Sequence, residues 1–265
     1  MDSTTPPFGK IQAPADWRCV EFISDLHLHP DEQQTFRAWR HYLESTAADA
    51  LFILGDLFEV WVGDDITGDA DGFEALCAKL LTQAAMVRPV YLMHGNRDFL
   101  IGSGFCQQTR VQLMDDPTVL CLGTERVLLS HGDSLCLSDT DYQAFRSEVR
   151  SSRWQQDFLA RPLAERSRIA RDLRNRSEAR KSQSDQAGFH DLDLASVRRW
   201  LGVARARTLV HGHTHRPAHQ SLGAGLSRVV LSDWDMAASP PRAQVLRLSI
   251  EKDTGLPTFS RYELG

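Results

Sequence analysis

The chain has 265 residues, of which 42% are hydrophobic and 25% charged, which is typical of a globular protein and excludes a disordered or fibrous one. Its formal net charge of −5 predicts no global affinity for nucleic acid. Residues 1–16 contain no basic segment followed by an apolar one, so we expect no signal peptide. The sequence has no uninterrupted apolar stretch of about 18 residues, so we expect no membrane-spanning helix.

Five short apolar runs rich in β-forming residues are predicted strands. They span residues 20–23, 51–54, 90–93, 127–129 and 208–210. Helical spacing of apolar residues follows the first two runs, over 31–45 and 73–85, and this alternation indicates a layered α/β domain. Beyond the fifth run, strands are predicted over 228–231, 245–250 and 258–262. We expect these last three to complete a second sheet of a two-sheet sandwich with outer helices.

Each of the five runs is followed by a cluster that contains residue types common among metal ligands. In chain order the clusters read Asp25-x-His27, Gly55-Asp56, Gly95-Asn96-Arg97-Asp98, His131-x-Asp133 and His211-x-His213-x-His215. Because α/β folds build their sites at the carboxyl ends of strands, we expect the clusters to converge. Carboxylates, an amide oxygen and imidazoles without thiolates suit two divalent cations of the Mn, Fe or Zn kind. Two metals indicate phosphoryl-ester hydrolysis with water as the nucleophile.

The spacing within the clusters suggests how the ligands divide. Asp25 and His27 point to the same side if the chain stays extended past its strand, so they can share one ion. Asp56 stands alone after its strand and has two carboxylate oxygens, which makes it the expected bridge between two metals. The remaining expected ligands are Asn96, His131, His213 and His215. Any one cluster alone is no more than a strand end or a turn, and only their recurrence in order indicates a site.

The segment between the fourth and fifth clusters has no predicted strand and is rich in arginine. Between Arg146 and Lys181 there are eleven basic side chains and five acidic ones, although the whole chain is acidic. Apolar residues four apart make stripes on predicted helices; they are Trp154 and Phe158, Leu159 and Leu163, and Ile169 and Leu173. We predict a helical insertion over 138–190 within one domain of residues 1–265. Its simplest interpretation is a solvated helical hairpin that packs its apolar face on the main domain.

The motifs resemble those of the calcineurin-like metallophosphoesterases, which run DxH, GDxxE, GNH(D/E), H and GHxH. This resemblance implies a four-layered α/β/β/α sandwich. It implies one metal held by Asp25, His27, Asp56 and His215, and a second held by Asp56, Asn96, His131 and His213. It gives no ligand role to His211, which we expect to pack or hydrogen-bond nearby. An outer position that holds a ligand in place is expected for Glu59. Asp98 is expected either to hold the Arg97 guanidinium or a ligand histidine, or to be a helix N-terminal residue.

Arg97 departs from the general pattern, which has a histidine that protonates the leaving group or binds phosphate. Arginine stays protonated at any working pH, so it cannot be the general acid, but it can clamp phosphate oxygens. A leaving group that needs no proton is therefore expected. A phosphate leaving from a pyrophosphate fits this requirement, as does a diphosphate bond between a nucleotide and a sugar.

The longer phrases around these motifs resemble most specifically the UDP-2,3-diacylglucosamine pyrophosphatases of lipid A synthesis. That resemblance implies hydrolysis to UMP and lipid X, with water attacking the α-phosphorus, two Mn²⁺ as the usual metals, and Fe, Mg or Zn as other ions such ligands accept. It implies catalytic roles for Asp56, Asn96 and Arg97. The implied substrate contacts are Asn96, Arg97, Asp139, Ser177, Lys181 and His213. Asp139 also fits a helix N-cap, and Ser184 stands near a position where the family often has a further lysine.

The same resemblance implies a lid whose apolar stripes line a groove for acyl chains and whose arginines face anionic lipids. We therefore expect a peripheral protein on the cytoplasmic side of the inner membrane. Five cysteines without CxxC spacing, typical of reduced thiols, agree with that compartment. No obligate protein partner and no nucleic acid are expected. Two alternatives are another calcineurin-like phosphodiesterase, acting on cyclic nucleotides or nucleic acid, and a non-catalytic scaffold; the first favours histidine over Arg97, and the second typically loses ligands.

Overall fold

The computed structural model describes residues 5–183 and 190–264, and only the helical backbone of residues 175–183. Its strands are β1 (Gly9–Gln12), β2 (Cys19–Ile23), β3 (Ala50–Leu54), β4 (Val90–Met93), β5 (Gln112–Met114), β6 (Thr118–Leu122), β7 (Glu125–Ser130), β8 (Thr208–His211), β9 (Ala218–Gly223), β10 (Leu226–Val230), β11 (Gln244–Ile250) and β12 (Pro257–Glu263). Its α-helices are α1 (Gln33–Ser45), α2 (Phe73–Val87), α3 (Ser103–Thr109), α4 (Thr140–Val149), α5 (Ser152–Leu159), α6 (Leu163–Gln183) and α7 (Leu194–Ala204).

The strands form two six-stranded sheets that face each other. The first has the order β1-β6-β7-β8-β10-β9 and the second the order β12-β11-β2-β3-β4-β5. Apolar side chains from both sheets pack into one buried cluster between them. Helices α1, α2 and α3 cover the outer face of the second sheet, and α7 covers the outer face of the first. The predicted four-layered α/β/β/α sandwich is therefore confirmed.

The strands after His211 do not complete a single sheet, so that expectation is wrong. β9 and β10 extend the first sheet beyond β8, whereas β11 and β12 extend the second sheet beyond β2. β11 pairs antiparallel with β2 and places Leu246 opposite Phe22, both in the cluster between the sheets. Burial of that apolar face explains why β11 joins β2. Strands β1, β5, β6 and β9 and helices α3 and α7 are absent from the sequence prediction.

The five predicted ligand clusters follow strands that belong to both sheets, but they lie at the same edge of the sandwich. Strands β2, β3 and β4 are parallel neighbours in the second sheet, and β7 and β8 are parallel neighbours in the first. The residues that follow their carboxyl ends therefore meet across one edge of the sandwich. None of the helices in the described part of the chain is long and apolar enough to cross a lipid bilayer.

Glu21 of β2 is a fully buried carboxylate that joins β11 and β12, at one edge of the second sheet, to α1 and the residue after it. Its Oε2 accepts hydrogen bonds from the Tyr42 hydroxyl at 2.8 Å and the Thr46 hydroxyl at 2.6 Å. Its Oε1 accepts from Arg247 Nη2 at 2.7 Å and the Tyr262 hydroxyl at 2.8 Å. Burial alone would raise the pKa of Glu21, but these donors outweigh it and lower that pKa.

Glu21→Gln is expected to lower the free energy of unfolding by about 3 kcal/mol, because Arg247 loses its carboxylate and the buried Tyr42 and Thr46 hydroxyls lose a charged acceptor. Since the folded-state pKa lies below the ordinary 4.5, the natural chain has this stabilisation above that value and loses it as the pH falls through the folded-state pKa. Urea denaturation at a series of pH values from about 7 to about 3 should show the difference between the two chains shrinking as the pH falls below the ordinary pKa of 4.5. Glu44→Gln, at a carboxylate whose side chain is 51% exposed, is the control, and an equal loss there would contradict the prediction.

Candidate metal centre

The loops after β2, β3 and β8 turn through left-handed backbone at the predicted ligands. The φ angles are 54° at Asp25, 48° at His27, 53° at Asp56, 66° at His213 and 52° at His215. The condition that the chain stays extended after β2 is therefore not met, although Asp25 and His27 still come together. Instead, the Asp25 N–H donates to Gly55 O at 3.1 Å and the His27 N–H donates to Asp56 O at 3.0 Å. Strained non-glycine backbone of this kind persists mainly at functional sites.

Asp25, His27 and His215 form the first group of converging donors. Their ligand atoms all lie within 4.8 Å of one another. Asp25 Oδ1 is 3.3 Å from His215 Nε2, and the Nε2 atoms of His27 and His215 face each other at 3.4 Å. The Asp25 carboxylate is held from behind by the His213 N–H and the Ser24 hydroxyl, at 3.0 and 2.5 Å from Oδ2. Two facing imidazole nitrogens beside a carboxylate suit a shared divalent cation.

Asp56, Asn96, His131 and His213 form the second group. Asn96 Oδ1 lies 3.1 Å from His131 Nε2 and 2.9 Å from His213 Nδ1. Asp56 Oδ2 lies 3.7 Å from His131 Nε2 and 3.9 Å from His27 Nε2. One oxygen of Asp56 thus faces an imidazole of each group, as the predicted bridge requires. Asp25 also falls within 4.8 Å of Asp56 and His131, so the two groups adjoin.

Groups behind the imidazoles fix the direction of their ligand nitrogens. His131 Nδ1 lies 2.9 Å from Leu54 O, which leaves its Nε2 directed at Asp56. Glu59 Oε2 lies 2.9 Å from His27 Nδ1, and Asp233 Oδ2 lies 3.8 Å from His215 Nδ1. Sequence reasoning missed Asp233. Its only signal is an acidic residue shortly after a buried strand, and no motif surrounds it.

The charges of the site keep the ligands in different protonation states when no cation is considered. Burial alone would lower the pKa of His131, but Asp56, Asp25 and Asp133 outweigh it and raise that pKa to about 9. Burial and the charge of His131 together lower the pKa of His213 to about 3. Burial also raises the pKa of Asp56. His213 is therefore neutral as a ligand must be, whereas binding at His131 displaces a proton.

Arg97 lies at the edge of the site and is connected to the Asp56 carboxylate. Its backbone N–H donates to Asp56 Oδ1 at 2.8 Å. Its guanidinium Nη1 is 3.3 Å from Glu59 Oε1, and Arg174 Nε approaches the same oxygen at 3.1 Å. Burial would raise the pKa of Glu59, but His27, Arg97 and Arg174 outweigh it and lower that pKa. Glu59 thus holds two arginines and a predicted ligand together.

Asp98 holds neither Arg97 nor a ligand histidine, and it does not begin a helix, because α3 starts at Ser103 with Gly102 as its N-cap. Both expectations for Asp98 are therefore wrong. Its Oδ2 accepts the Leu57 N–H at 2.7 Å, and its Oδ1 accepts the Gly95 N–H at 2.8 Å. Asp98 is fully buried and satisfies backbone donors in the loops after β3 and β4. These hydrogen bonds keep the two loops adjacent and so act on Asp56 and Asn96 indirectly. His211 packs as expected, fully buried, with its Nδ1 2.8 Å from Gly212 O.

Comparisons with known proteins agree with this geometry. A family model described as calcineurin-like phosphoesterase matches residues 20–217. The chain belongs to the calcineurin-like phosphoesterase family. A UDP-2,3-diacylglucosamine hydrolase of Chromobacterium violaceum is 45% identical to this phosphoesterase, over 81% of this chain and 90% of that protein. Those of Chromohalobacter salexigens and Xanthomonas campestris pv. campestris are 42% and 41% identical, over 80% and 87% of this chain and 87% and 97% of their lengths. The resemblance drawn from the motifs is confirmed.

Three of the substrate positions implied for this phosphoesterase, Asp139, Ser177 and Lys181, lie on or beside the helical segment. Asp139 caps α4, because its Oδ1 accepts the Tyr142 N–H at 3.0 Å. Ser177 and Lys181 lie on the backbone of α6, but their side chains are outside the described residues. Ser184 is outside the described residues altogether. Substrate contacts of Asp139, Ser177 and Lys181 therefore stay predictions, and the structure adds a capping role for the first.

The apolar stripe of the helical segment packs on the main domain of the phosphoesterase. Phe158 is buried in the cluster beneath α1 to α3, and Trp154, Leu163 and Ile169 pack against that cluster. Trp154 stacks on Phe158 with ring centroids 4.7 Å apart and lies 6.2 Å from the Phe99 ring. Phe99 follows directly after the third ligand cluster. These side chains attach the described part of the segment to the main domain, and a lid over residues 138–190 stays a prediction.

Proposed function

We propose that this phosphoesterase hydrolyses the pyrophosphate bond of UDP-2,3-diacylglucosamine to UMP and 2,3-diacylglucosamine 1-phosphate, or lipid X, in lipid A biosynthesis. The observation that carries the proposal is the convergence of seven ligand side chains with an arginine beside them. Relatives named for this substrate span most of the chain. The alternative substrates, cyclic nucleotides and nucleic acid, have no comparable support in either the site or these relatives.

The donor set fits two divalent cations. Asp25, His27, Asp56 and His215 would hold one, and Asp56, Asn96, His131 and His213 would hold the other. Cations bound there supply Lewis acidity toward phosphoryl oxygens and a water that is a nucleophile near neutral pH. We propose Mn²⁺ as the ion, because it is the usual metal of the enzymes that the motifs resemble and because oxygen and imidazole donors without thiolate suit it, as they also suit Fe, Mg or Zn.

The surrounding residues bind and orient the pyrophosphate. Oxygen from water bonds to the α-phosphorus, and the bond from that phosphorus to the bridging oxygen breaks, so the β-phosphate leaves on the diacylglucosamine. Arg97 stays protonated and neutralises charge on phosphate oxygens. No side chain has to protonate the leaving group, because a phosphate leaves as a stable anion. Asn96 and His213 lie 2.9 Å apart across the site and would contact the same phosphoryl group.

The helical segment would place this site at an anionic membrane surface. Arg153 and Arg168 have side chains that are 94% and 63% exposed, which suits contact with anionic headgroups. We propose peripheral association with the cytoplasmic side of the inner membrane. Trp154 and Phe99 would provide the apolar surface nearest the ligand loops for the acyl chains. The excess of arginine in the helical segment and the neighbouring rings of Phe99, Trp154 and Phe158 support this membrane association.

The Mn²⁺-loaded protein is expected to release UMP and lipid X from UDP-2,3-diacylglucosamine in equal amounts. UDP-glucosamine without acyl chains should react far more slowly, because it lacks the groups that the apolar surface binds. Chromatography of both products over time measures the rates, and protein treated with a chelator is the control. Absence of product from the acylated substrate would overturn the proposed activity. Equal rates on the two substrates would overturn only the acyl-binding role of the helical segment.

A further inference from the structure

A buried carboxylate outside the predicted ligand set connects the helical segment to the metal centre. Asp133 is fully buried and lies two residues after His131. Its Oδ2 accepts hydrogen bonds from the Tyr142 hydroxyl at 2.5 Å and Arg146 Nε at 2.8 Å. Arg150 Nη2 lies 3.8 Å from the same oxygen. These partners are spaced four residues apart on α4 and the turn after it, so one carboxylate gathers one face of the helix.

Two of these partners reach the loops that carry second-group ligands. The Tyr142 ring stacks on the His213 imidazole, with centroids 6.0 Å apart and planes 29° apart. Arg150 Nη2 donates to Gly95 O at 2.8 Å, the carbonyl directly before Asn96. His213 and Asn96 are the pair whose ligand atoms face each other at 2.9 Å. Asp133 is therefore connected to His213 through Tyr142, and to the residue before Asn96 through Arg150.

If Asp133 served only to attach α4 to the core, it would not need to be a buried carboxylate with one unpaired oxygen. Asp133 Oδ1 is buried and has no hydrogen-bond partner among the described residues, an unfavourable state for a carboxylate oxygen. The segment also has a second attachment to the core that avoids this cost. There the buried Arg166 donates to Asp65 Oδ1 at 2.9 Å and to Val62 O, while the Asp65 side chain is 59% exposed.

We propose that Asp133 is a positioning residue for the second metal position. By holding Tyr142 and Arg150, it keeps the His213 imidazole and the Asn96 amide directed at a common point. The other three ligand imidazoles are oriented by an oxygen placed behind the ring, namely Leu54 O, Glu59 or Asp233. His213 is instead oriented by the face of an aromatic ring whose hydroxyl Asp133 anchors. Docking of α4 and occupancy of the second metal position are thereby coupled.

Calorimetric titration of the metal-free protein with Mn²⁺ alone tests this coupling. Asp133→Asn is expected to weaken one of the two Mn²⁺ binding steps about 10- to 100-fold, the usual effect of losing a group that orients a ligand, and to leave the other step nearly unchanged. Asp65→Asn, which cuts the other attachment of the segment, is the matched control and should leave both steps unchanged. No substrate is used, so the result is independent of the proposed activity.

Two results would overturn the proposal. One is unchanged binding of both Mn²⁺ by a folded Asp133→Asn protein. The other is an equal loss in Asp65→Asn, which would mean that any loosening of the segment has the same effect. If Asp133→Asn does not fold, as thermal denaturation would show, Tyr142→Ala decides. Selective weakening of one step then supports the coupling, and binding like that of the natural chain refutes it. Tyr142→Phe keeps the ring but frees it from Asp133, so an intermediate loss is expected.

Discussion

Arg97→Ala is expected to reduce turnover of UDP-2,3-diacylglucosamine about 100- to 1,000-fold, the effect of removing one preorganised donor from a charged transition state. Its guanidinium lies at the edge of the site, with Nη1 3.3 Å from Glu59 Oε1. Within the part of the chain that the structure describes, it contacts no predicted ligand side chain. Its only link to Asp56 is the backbone N–H, which alanine retains. Both Mn²⁺ should therefore remain bound. Steady-state kinetics and metal content of the same preparation measure the two quantities.

The controls for Arg97 separate a phosphate clamp from a general charge effect. Arg153→Ala removes an arginine of the helical segment that is 94% exposed and pairs only loosely with Asp157, at 3.9 Å. It should keep nearly full turnover in detergent solution. Arg97→Lys should recover only part of the loss, because an ammonium group lacks the planar fork that binds phosphate oxygens in pairs. Loss of Mn²⁺ from Arg97→Ala would contradict the clamp assignment.

The strands nearest the site were predictable because they are buried on both faces. β3 reads Ala-Leu-Phe-Ile-Leu and is buried at every position, so it appears in the sequence as an unbroken apolar run. The edge strands β1 and β9 have mixed polar sequences and are largely exposed, and no periodicity marks them. The assignment of β11 to the second sheet depends on its pairing with β2, a contact between residues more than 200 positions apart.

The ligand set was predictable as a list, but its geometry was not. Asp25, His27 and Asp56 could be identified as ligands because their side chains bind divalent cations and because each follows the end of a predicted strand. The left-handed backbone at these positions leaves only a weak mark in the sequence. Asp and His adopt a positive φ more often than most residues, but both are also common in ordinary turns and loops, and only glycine marks such a conformation strongly. Asp98 was misread for a related reason. Its partners are backbone N–H groups of two loops, and backbone donors look alike in every sequence.

Gly95→Ala should damage the metal centre severely, because a methyl group there has no room beside Asp56. A Cβ at Gly95 would lie 2.7 Å from Asp56 Cγ and closer still to Asp56 Oδ1 and N. Asp56 cannot move away, since its backbone carbonyl accepts the His27 N–H and its Oδ1 accepts the Arg97 N–H. We expect both Mn²⁺ steps to weaken and turnover to fall by about 100-fold or more, because small misplacements of reacting groups have effects of that size.

Gly202→Ala is the matched control for that substitution. Gly202 lies inside α7, and a Cβ there would meet nothing within 4 Å, so alanine should raise the free energy of unfolding by about 0.5–1 kcal/mol. Calorimetric Mn²⁺ titration and thermal denaturation of both variants then separate damage to the site from damage to the fold. If Gly95→Ala bound two Mn²⁺ normally, Asp56 would not be the fixed bridge. Weakening of both steps would instead place Asp56 in both ligand groups, whereas Asp133→Asn should affect one group alone.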